Sequence, residues 1–199
     1  MKENFKNICG VIAIISTILI INYWAISFSS QPVSYPADFY GTSEEVPLEE
    51  FLSYAKENNF SIYLPTKFPK GFIITAIYLK REPFIAIVVY SDEENKDYKT
   101  SGFTIEISHI NPKYIPTLLE LQALDESSQY IYAKEINNWT VMIHEHASIG
   151  GNPETKAKFG DYGLIAQVWI DCIEYLYCIP LLSKQDEISQ IIETMVQIV

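Results

Sequence analysis

An uncharged run of 21 residues, 8–28, constrains this chain more than any other feature. A helix of that length reaches about 30 Å, the thickness of a bilayer's hydrocarbon core. A secretory signal peptide usually has a shorter apolar region, about 7 to 15 residues, followed by a cleavage site of small residues. Tyr23 and Trp24 lie near the outer end of the run, where aromatic anchors are expected. We therefore favour an uncleaved transmembrane signal anchor, with cleavage after Ser27 or Ser30 as the alternative.

Positive charge around the run predicts its orientation. Lys2 and Lys6 precede it, and the next Lys or Arg is Lys56. Since Lys and Arg collect on the cytoplasmic side of a span, residues 1–7 should form a cytoplasmic tail and everything after the span should be extracytoplasmic. The lipid bilayer, contacted through residues 8–28 in the cell membrane, is therefore a predicted partner.

The composition excludes one class of partner. The chain has 199 residues, of which 48% are hydrophobic and 20% charged, as is typical of one globular domain with a sizeable core. Its formal net charge is -11, and no basic patch with interleaved aromatic residues is present. Binding to nucleic acid would lack its main driving force, so we expect no nucleic-acid partner. The sequence does not indicate an oligomeric state.

The segment after the span changes character at Pro47. Residues 29–46 contain Pro, Ser and Gly without periodicity and are typical of a linker. The apolar residues that follow have helical spacing: Leu48, Phe51, Leu52 and Ala55. They predict an amphipathic helix that ends at Asn58 or Asn59. The extracytoplasmic domain should therefore comprise residues 47–199.

Eight short runs rich in Ile, Val, Tyr, Phe and Thr follow, separated by turn signals such as KREP and INN. They are residues 60–64, 72–80, 84–91, 103–110, 130–136, 139–146, 164–170 and 175–179. Short connections of this kind join antiparallel neighbours. The runs therefore predict a curved antiparallel sheet of about seven to eight strands, a meander at least in its second half.

A second amphipathic helix is predicted at the C-terminus. Ser183 begins this segment, and an acidic residue follows three places later, as in a capping box. One apolar stripe runs along the helix: Ile188, Ile191, Ile192, Met195, Val196 and Val199. A further short helix is expected within residues 112–128, with a late start because of Pro116. The predicted fold class is α+β.

The histidines are the first candidates for chemistry. His144 and His146 should share one face of a strand, because side chains alternate with a period of two. Zinc normally requires three or four protein ligands, however. The third histidine, His109, continues an apolar face of its own strand and is not expected to converge on the pair. A solvated strand is therefore favoured over a metal site.

Other catalytic patterns are missing from the sequence. It contains no G-x-S-x-G nucleophile elbow, and the four glycines of residues 148–163 lack phosphate-loop spacing, so that segment is predicted to be a long surface turn. The acidic clusters lie in polar connections, where solvated charge is the usual role: Asp92, Glu93, Glu94, Asp125 and Glu126. We therefore expect a non-enzymatic protein without catalytic, cofactor-binding or metal-binding residues.

Three of the strand runs are apolar on both faces: FIAIVVY, LIAQVWI and YLYCI. A sheet with one face in water should instead alternate between apolar and polar residues. The second face must therefore be covered. Helices are the favoured cover, and an apolar ligand or a partner protein is the alternative.

The segment WIDCIEYLYCIP places Cys172 and Cys178 six positions apart, which admits a metal clip, a redox couple, a disulfide or a hairpin. With Cys172 and Ile173 in a turn, Trp169 would face Leu176 and Gln167 would face Cys178. The two cysteines would then lie roughly 16 to 20 Å apart, beyond the Cα limit of about 7 Å for a disulfide. The hairpin is favoured, although an oxidising compartment would permit a disulfide.

Two N-glycosylation triplets begin at Asn59 and Asn138. Both lie in the part of the chain predicted to be extracytoplasmic. They would accept glycans only in a host with the required machinery.

Two short motifs resemble the bacterial and archaeal domain of unknown function 4367, over about residues 48–196. The entry to the first long strand and the closing segment carry the resemblance: Pro65, Pro69, Gly71 and Phe72, then Trp169, Tyr175, Leu182, Ser183, Asp186 and Glu187. The resemblance implies a membrane-tethered extracytoplasmic domain of the kind seen in anti-sigma-factor-like and lipoprotein-carrier-like envelope proteins. It implies no catalytic residues. Because about seven residues precede the span, a cytoplasmic sigma-binding domain is not expected.

The functional prediction combines these points. A single-pass membrane protein should carry an α+β outer domain that acts as a non-catalytic binding or sensing module of the cell envelope. The alternative is a carrier of a lipid or other apolar ligand, and a metal-dependent enzyme is least favoured. The predicted partners are accordingly an envelope protein or an apolar ligand, which the sequence does not identify.

Overall fold

The computed structural model describes residues 42–69, 71–125, 128–148, 153–182 and 184–199. The predicted tail, the signal anchor at 8–28 and most of the linker lie outside these ranges. Within them, no helix is long and apolar enough to cross a membrane.

An eight-stranded antiparallel sheet forms the centre of the described domain. Its strands lie in the order β1-β3-β4-β5-β9-β8-β7-β6. Their bounds are β1 Glu44–Glu45, β3 Ile73–Lys80, β4 Ile85–Ser91, β5 Phe103–His109, β6 Ile131–Ile136, β7 Trp139–Ser148, β8 Tyr162–Ile170 and β9 Ile173–Ile179. The predicted α+β class and antiparallel sheet are confirmed.

The sheet consists of two meanders that meet at β5 and β9. Strands β3, β4 and β5 form the first, and β6, β7, β8 and β9 form the second, as predicted for the later half of the chain. The last strand of each meander pairs with the other, so that Ile105 lies opposite Tyr177. The centre of the sheet is therefore built from strands distant in sequence.

The predicted boundary of the linker at residue 46 is too late. Glu44 and Glu45 form β1 and pair with Leu79 and Tyr78 of β3. Val46 is buried in the core, and its N–H donates to the Ile77 carbonyl. Periodicity cannot reveal such a strand, because two residues are too few to alternate.

Within the described ranges, four complete α-helices and one 3-10 turn lie around the sheet. They are α1 Leu48–Glu57, the 3-10 turn Pro112–Tyr114, α2 Leu118–Asp125, α3 Pro153–Phe159 and α4 Gln185–Ile192. Helix α1 confirms the first predicted amphipathic helix. Helix α2 confirms the late start after Pro116. Its N-terminus is stabilised because the Glu120 carboxylate accepts hydrogen bonds from the N–H and hydroxyl of Thr117, both at 2.8 Å.

The C-terminal helix is shorter than predicted. Helix α4 begins after Lys184, whose N–H donates to the Glu187 carboxylate, and Ser183 lies outside the described residues. The helix ends at Ile192, and Met195–Gln197 form β10, which pairs with β2, Tyr63–Pro65. The predicted apolar stripe was misleading because Met195 continues helical spacing although it lies in a strand.

Two further predictions about connections are wrong. Residues 148–163 are not only a surface turn, because Pro153–Phe159 form α3, which buries Thr155. Run 60–64 does not enter the main sheet either. Its second half contributes instead to the small sheet of β2 and β10.

The first face of the sheet carries the main core. Helices α1 and α4 and the small sheet supply apolar side chains to it, including Phe51 and Ile188. Tyr175 and Tyr177 of β9 are fully buried there. The Tyr175 hydroxyl accepts from the Tyr63 N–H at 3.0 Å and donates to the Ser61 carbonyl at 3.2 Å. This tyrosine therefore ties the small sheet to the main one.

The hairpin of β8 and β9 is confirmed, but its predicted register is wrong. Asp171 and Cys172 form the turn, and Asp171 has a left-handed φ of 52°. Trp169 consequently pairs with Glu174, and Gln167 pairs with Leu176. The turn lies one residue earlier than predicted because Asp tolerates the left-handed region that a β-branched Ile disfavours.

Candidate functional site

Other parts of the chain cover the second face of the sheet at its two flanks, whereas the centre of that face is only partly covered. On β3 and β4, Ala76, Ile87 and Val89 pack with Tyr98 from the connection 92–101. On the other side, α2 packs against β6 and β7. Leu121 of α2 is buried outside the main core, as are residues of these two strands such as Met142. The expected helical cover of the second face is therefore found at one flank only, because a connection covers the other flank and both predicted amphipathic helices pack on the first face.

Between these flanks, seven side chains of the second face keep partial exposure and are here called the central strip, whereas Thr104 and Trp169 on the same face are buried. Its members belong to β5, β9 and β8: Glu106, Ser108, Glu174, Leu176, Cys178, Ile165 and Gln167. They share one face because their positions alternate with the core residues Ile105, Tyr175 and Ala166. The strip is therefore a mixed polar and apolar surface at the centre of a sheet.

Glu106 has an unusual environment for a carboxylate. Its direct neighbours across the strands are Ile87 of β4 and Leu176 of β9. No hydrogen bond or ion pair joins its carboxylate to another residue in the described part of the chain. Burial, and secondarily the charge of Glu174, raises the pKa of Glu106 to about 7. Near neutral pH this group exists in both its charged and neutral forms.

Glu174 is the diagonal neighbour of Glu106 on the adjacent strand, with Cβ atoms about 7 Å apart. Its carboxylate accepts a hydrogen bond from the Gln167 amide at 2.7 Å. Burial raises the pKa of Glu174, and hydrogen bonds from Gln167 and Trp169 oppose that rise. Gln167 and Trp169 therefore fix the position of one carboxylate, while the other has no described partner.

The remaining members give the strip an apolar component. Leu176 lies between Glu106 and Gln167, and Ile165 lies opposite Cys178. Burial, followed by the charge of Glu106, raises the pKa of the Cys178 thiol to about 12. The thiol is therefore protonated under ordinary conditions and behaves as a small apolar group rather than a nucleophile.

The histidines do not form the arrangement predicted for them. A β-bulge separates His144 from Ala147, and His146 has a left-handed φ of 56°, so the alternation that implied a shared face is interrupted. His146 packs its ring against Tyr130. Burial, and then the charge of His146, lowers the pKa of His144. By register, His109 lies on the opposite face of the sheet. No group of three potential metal ligands occurs among the described residues.

The acidic clusters singled out in the sequence lie apart from the central strip. Asp92 and Glu94 are exposed, and Glu93 pairs with Lys158 at 3.1 Å. Asp125 accepts from the Ala133 N–H at 3.2 Å and so closes part of the β6 edge. Glu126 lies outside the described residues.

The two cysteines are half-buried, whereas the asparagines of the two glycosylation triplets are exposed. Cys172 is in the turn and Cys178 is within β9, and both are free thiols. Asn59 and Asn138 are exposed and have left-handed backbone conformations in turns. Both asparagines are therefore accessible for modification.

Sequence reasoning missed Glu106, Glu174 and Gln167. Glu174 and Gln167 interrupt otherwise apolar runs, which is a signal present in the sequence, whereas Glu106 lies in a strand that also contains Thr104 and Ser108. What was missing was the pairing of β5 with β9, which brings them together. No protein-family model, curated protein or solved structure matches this chain. The resemblance to domain of unknown function 4367 therefore stays a prediction.

Proposed function

We propose that this protein is a non-catalytic binding or sensing module of the cell envelope, anchored in the membrane by residues 8–28. Its described domain would lie outside the cytoplasm and bind through the central strip. The observation that carries the binding proposal is the partial exposure of Leu176 and Ile165 beside two carboxylates at the centre of a sheet. Side chains at such positions are normally covered, so a ligand is the simplest use for them.

The support for the anchor comes from the sequence alone. Lys2 and Lys6 precede an uncharged run long enough to cross a bilayer. Protease treatment of intact cells and of inverted membrane vesicles tests the orientation. The domain from residue 42 onward should be digested from outside the cell and protected inside inverted vesicles. The reverse pattern would contradict the proposed location.

A carrier of a lipid or other apolar ligand is the second candidate. It is favoured by apolar side chains exposed near α2, the helix that flanks the strip: Leu119 is 77% and Tyr114 is 69% exposed. Exposed apolar groups beside a partly open sheet face suit a ligand that moves between a membrane and the protein.

Native mass spectrometry of residues 31–199 separates the two candidates. A co-purified lipid would favour the carrier. A ligand-free domain that binds an envelope protein would favour the module. Neither result on its own locates the binding surface.

A fluorescent apolar probe, N-phenyl-1-naphthylamine, tests the surface itself. Its fluorescence should rise on binding to the domain, and Leu176→Gln should abolish most of the rise because it removes the apolar centre of the strip. The matched control is Leu48→Gln, since Leu48 is a leucine 40% exposed on α1. Equal signals from both variants would contradict binding at the strip.

A further inference from the structure

The central strip combines two carboxylates with apolar side chains. Together these groups define the class of ligand that would fit the strip. Glu106 and Glu174 are adjacent carboxylates on neighbouring strands. The described cations that form ion pairs do so elsewhere: Arg81, Lys96, Lys156 and Lys158. The strip therefore carries negative charge for which no described ion pair compensates.

The apolar side chains around the two carboxylates limit the kind of cation that can neutralise their negative charge. Leu176 lies directly beside Glu106, and Ile165 lies on the next strand. A hydrated cation alone would leave these apolar groups in water. Calcium and magnesium ions prefer six or more oxygen ligands and zinc prefers four ligands, whereas no group of three potential metal ligands occurs among the described residues. A cation with an attached apolar group would pair with the carboxylates and would also cover Leu176 and Ile165.

We infer that the central strip binds a small amphiphile through its protonated amine, which lies between Glu106 and Glu174 while its apolar body contacts Leu176 and Ile165. This inference rests on the proposed function, because it names the chemistry of the ligand at the same surface. Glu174 is held in place by Gln167 at 2.7 Å and supplies the fixed acceptor. Glu106 supplies the second acceptor. Its carboxylate makes no hydrogen bond in the described part of the chain, so it would lose none when it accepts one from the amine.

The energetics of the ligand-free strip agree with this assignment. Burial raises the pKa of both carboxyl groups, and the charge of Glu174 raises the pKa of Glu106 further. An ammonium group between them would replace repulsion with two charge-assisted hydrogen bonds. A neutral or anionic head group would gain nothing comparable. The strip should therefore distinguish amphiphiles by the charge of the head group rather than by the length of the apolar chain.

Titration calorimetry of the full chain in lipid nanodiscs tests the inference with three probes of equal chain length: hexylammonium, 1-hexanol and hexanoate. Heats measured with empty nanodiscs are subtracted. At pH 8 we expect hexylammonium to bind at least about tenfold more tightly than 1-hexanol, the effect of one charge-assisted hydrogen bond, and hexanoate to bind most weakly.

Variants then assign the discrimination to the carboxylates. Glu106→Gln and Glu174→Gln should each weaken hexylammonium binding about tenfold and leave 1-hexanol binding unchanged. Glu57→Gln, which removes an exposed carboxylate of α1, controls for the change in net charge. The wild-type probe series needs no variant and so remains decisive if a variant fails to fold.

The outcomes separate this inference from the function on which it rests. Equal affinities for hexylammonium and 1-hexanol, or a preference that survives both Gln variants, would overturn the amine assignment while apolar binding stands. Failure of both hexylammonium and 1-hexanol to bind would overturn the proposed binding surface together with it.

Discussion

The two faces of the sheet use the same strands for different purposes. On the first face, Ile105, Tyr175 and Tyr177 are completely buried under helices and a small sheet. On the second face, the neighbours of these residues in the same strands, Glu106 and Leu176, remain partly exposed. The difference shows that the first face is closed core, whereas the centre of the second face leaves side chains partly open to solvent.

The largest expected difference between the faces comes from one matched pair of substitutions. Ile105→Ala should lower the free energy of unfolding by about 3 to 4 kcal/mol, because it opens a cavity in a fully buried core. Ile165→Ala in the central strip should cost about 1 kcal/mol, since solvent already reaches that side chain. Urea denaturation of both variants measures the contrast. Equal losses would show that the second face is also closed core.

Removal of one hydroxyl tests how the cover of the first face is attached. Tyr175→Phe should cost about 2 kcal/mol, because the N–H of Tyr63 and the carbonyl of Ser61 lose their shared partner. Tyr162→Phe is the control, since Tyr162 is 61% exposed. Denaturant midpoints of the two variants should differ clearly. A neutral Tyr175→Phe would mean that apolar packing alone holds the small sheet in place.

The Glu106 carboxyl should make stability depend on pH. Its folded-state pKa of about 7 is above the unfolded value of 4.5, so the folded state binds the proton more tightly and loses stability as pH rises between these values. Glu106→Gln removes this loss. The variant should gain about 2 kcal/mol over wild type between pH 5 and pH 8, after allowance for solvent screening.

Thermal or urea unfolding at the two pH values measures this gain. Glu57→Gln supplies the control for loss of an exposed carboxylate. A wild type and a Glu106→Gln variant with parallel pH profiles would show that Glu106 is fully solvated, and the contrast between the faces would weaken accordingly.

The smallest effect concerns reactivity and leaves stability unchanged. Because the pKa of Cys178 is raised to about 12, little thiolate exists at pH 8 and iodoacetamide should modify it slowly in the folded protein. In guanidinium chloride the same cysteine should react more than about tenfold faster. Peptide mapping follows each site separately. A peptide that links Cys172 to Cys178 in an unreduced digest would contradict the free-thiol arrangement.

Local patterns predicted most elements of this fold. Runs rich in β-branched and aromatic residues between turn signals located β3 to β9, and helical spacing located α1, because each signal spans enough residues to be distinctive. The short elements were different. A three-residue strand at Met195 fits a helical stripe equally well, and the two residues of β1 fit no period. Their structure depends on the partner strands, Tyr63–Pro65 and β3, rather than on their own sequence.

The candidate site was not predictable for a related reason. Glu174 and Gln167 each look like an isolated polar residue within an apolar strand, and Glu106 looks like one of several polar residues on the outer face of its strand. Only the pairing of β5 with β9 and of β9 with β8 makes them neighbours. The predicted hairpin also placed its turn one residue too late, so it paired Trp169 with Leu176 instead of Glu174. The chemistry of the strip therefore emerges from tertiary pairing.

The junction of the two meanders also has a consequence for the order of events during synthesis. Glu106 leaves the ribosome with the first meander, whereas Glu174 follows only after β6, β7 and β8. Pairing between such distant strands is slow compared with the formation of a local hairpin. A nascent chain would therefore not contain the complete proposed amine site until β9 has paired with β5. Under the proposed function, only finished molecules would capture the ligand, and a chain truncated before residue 173 would lack the second carboxylate.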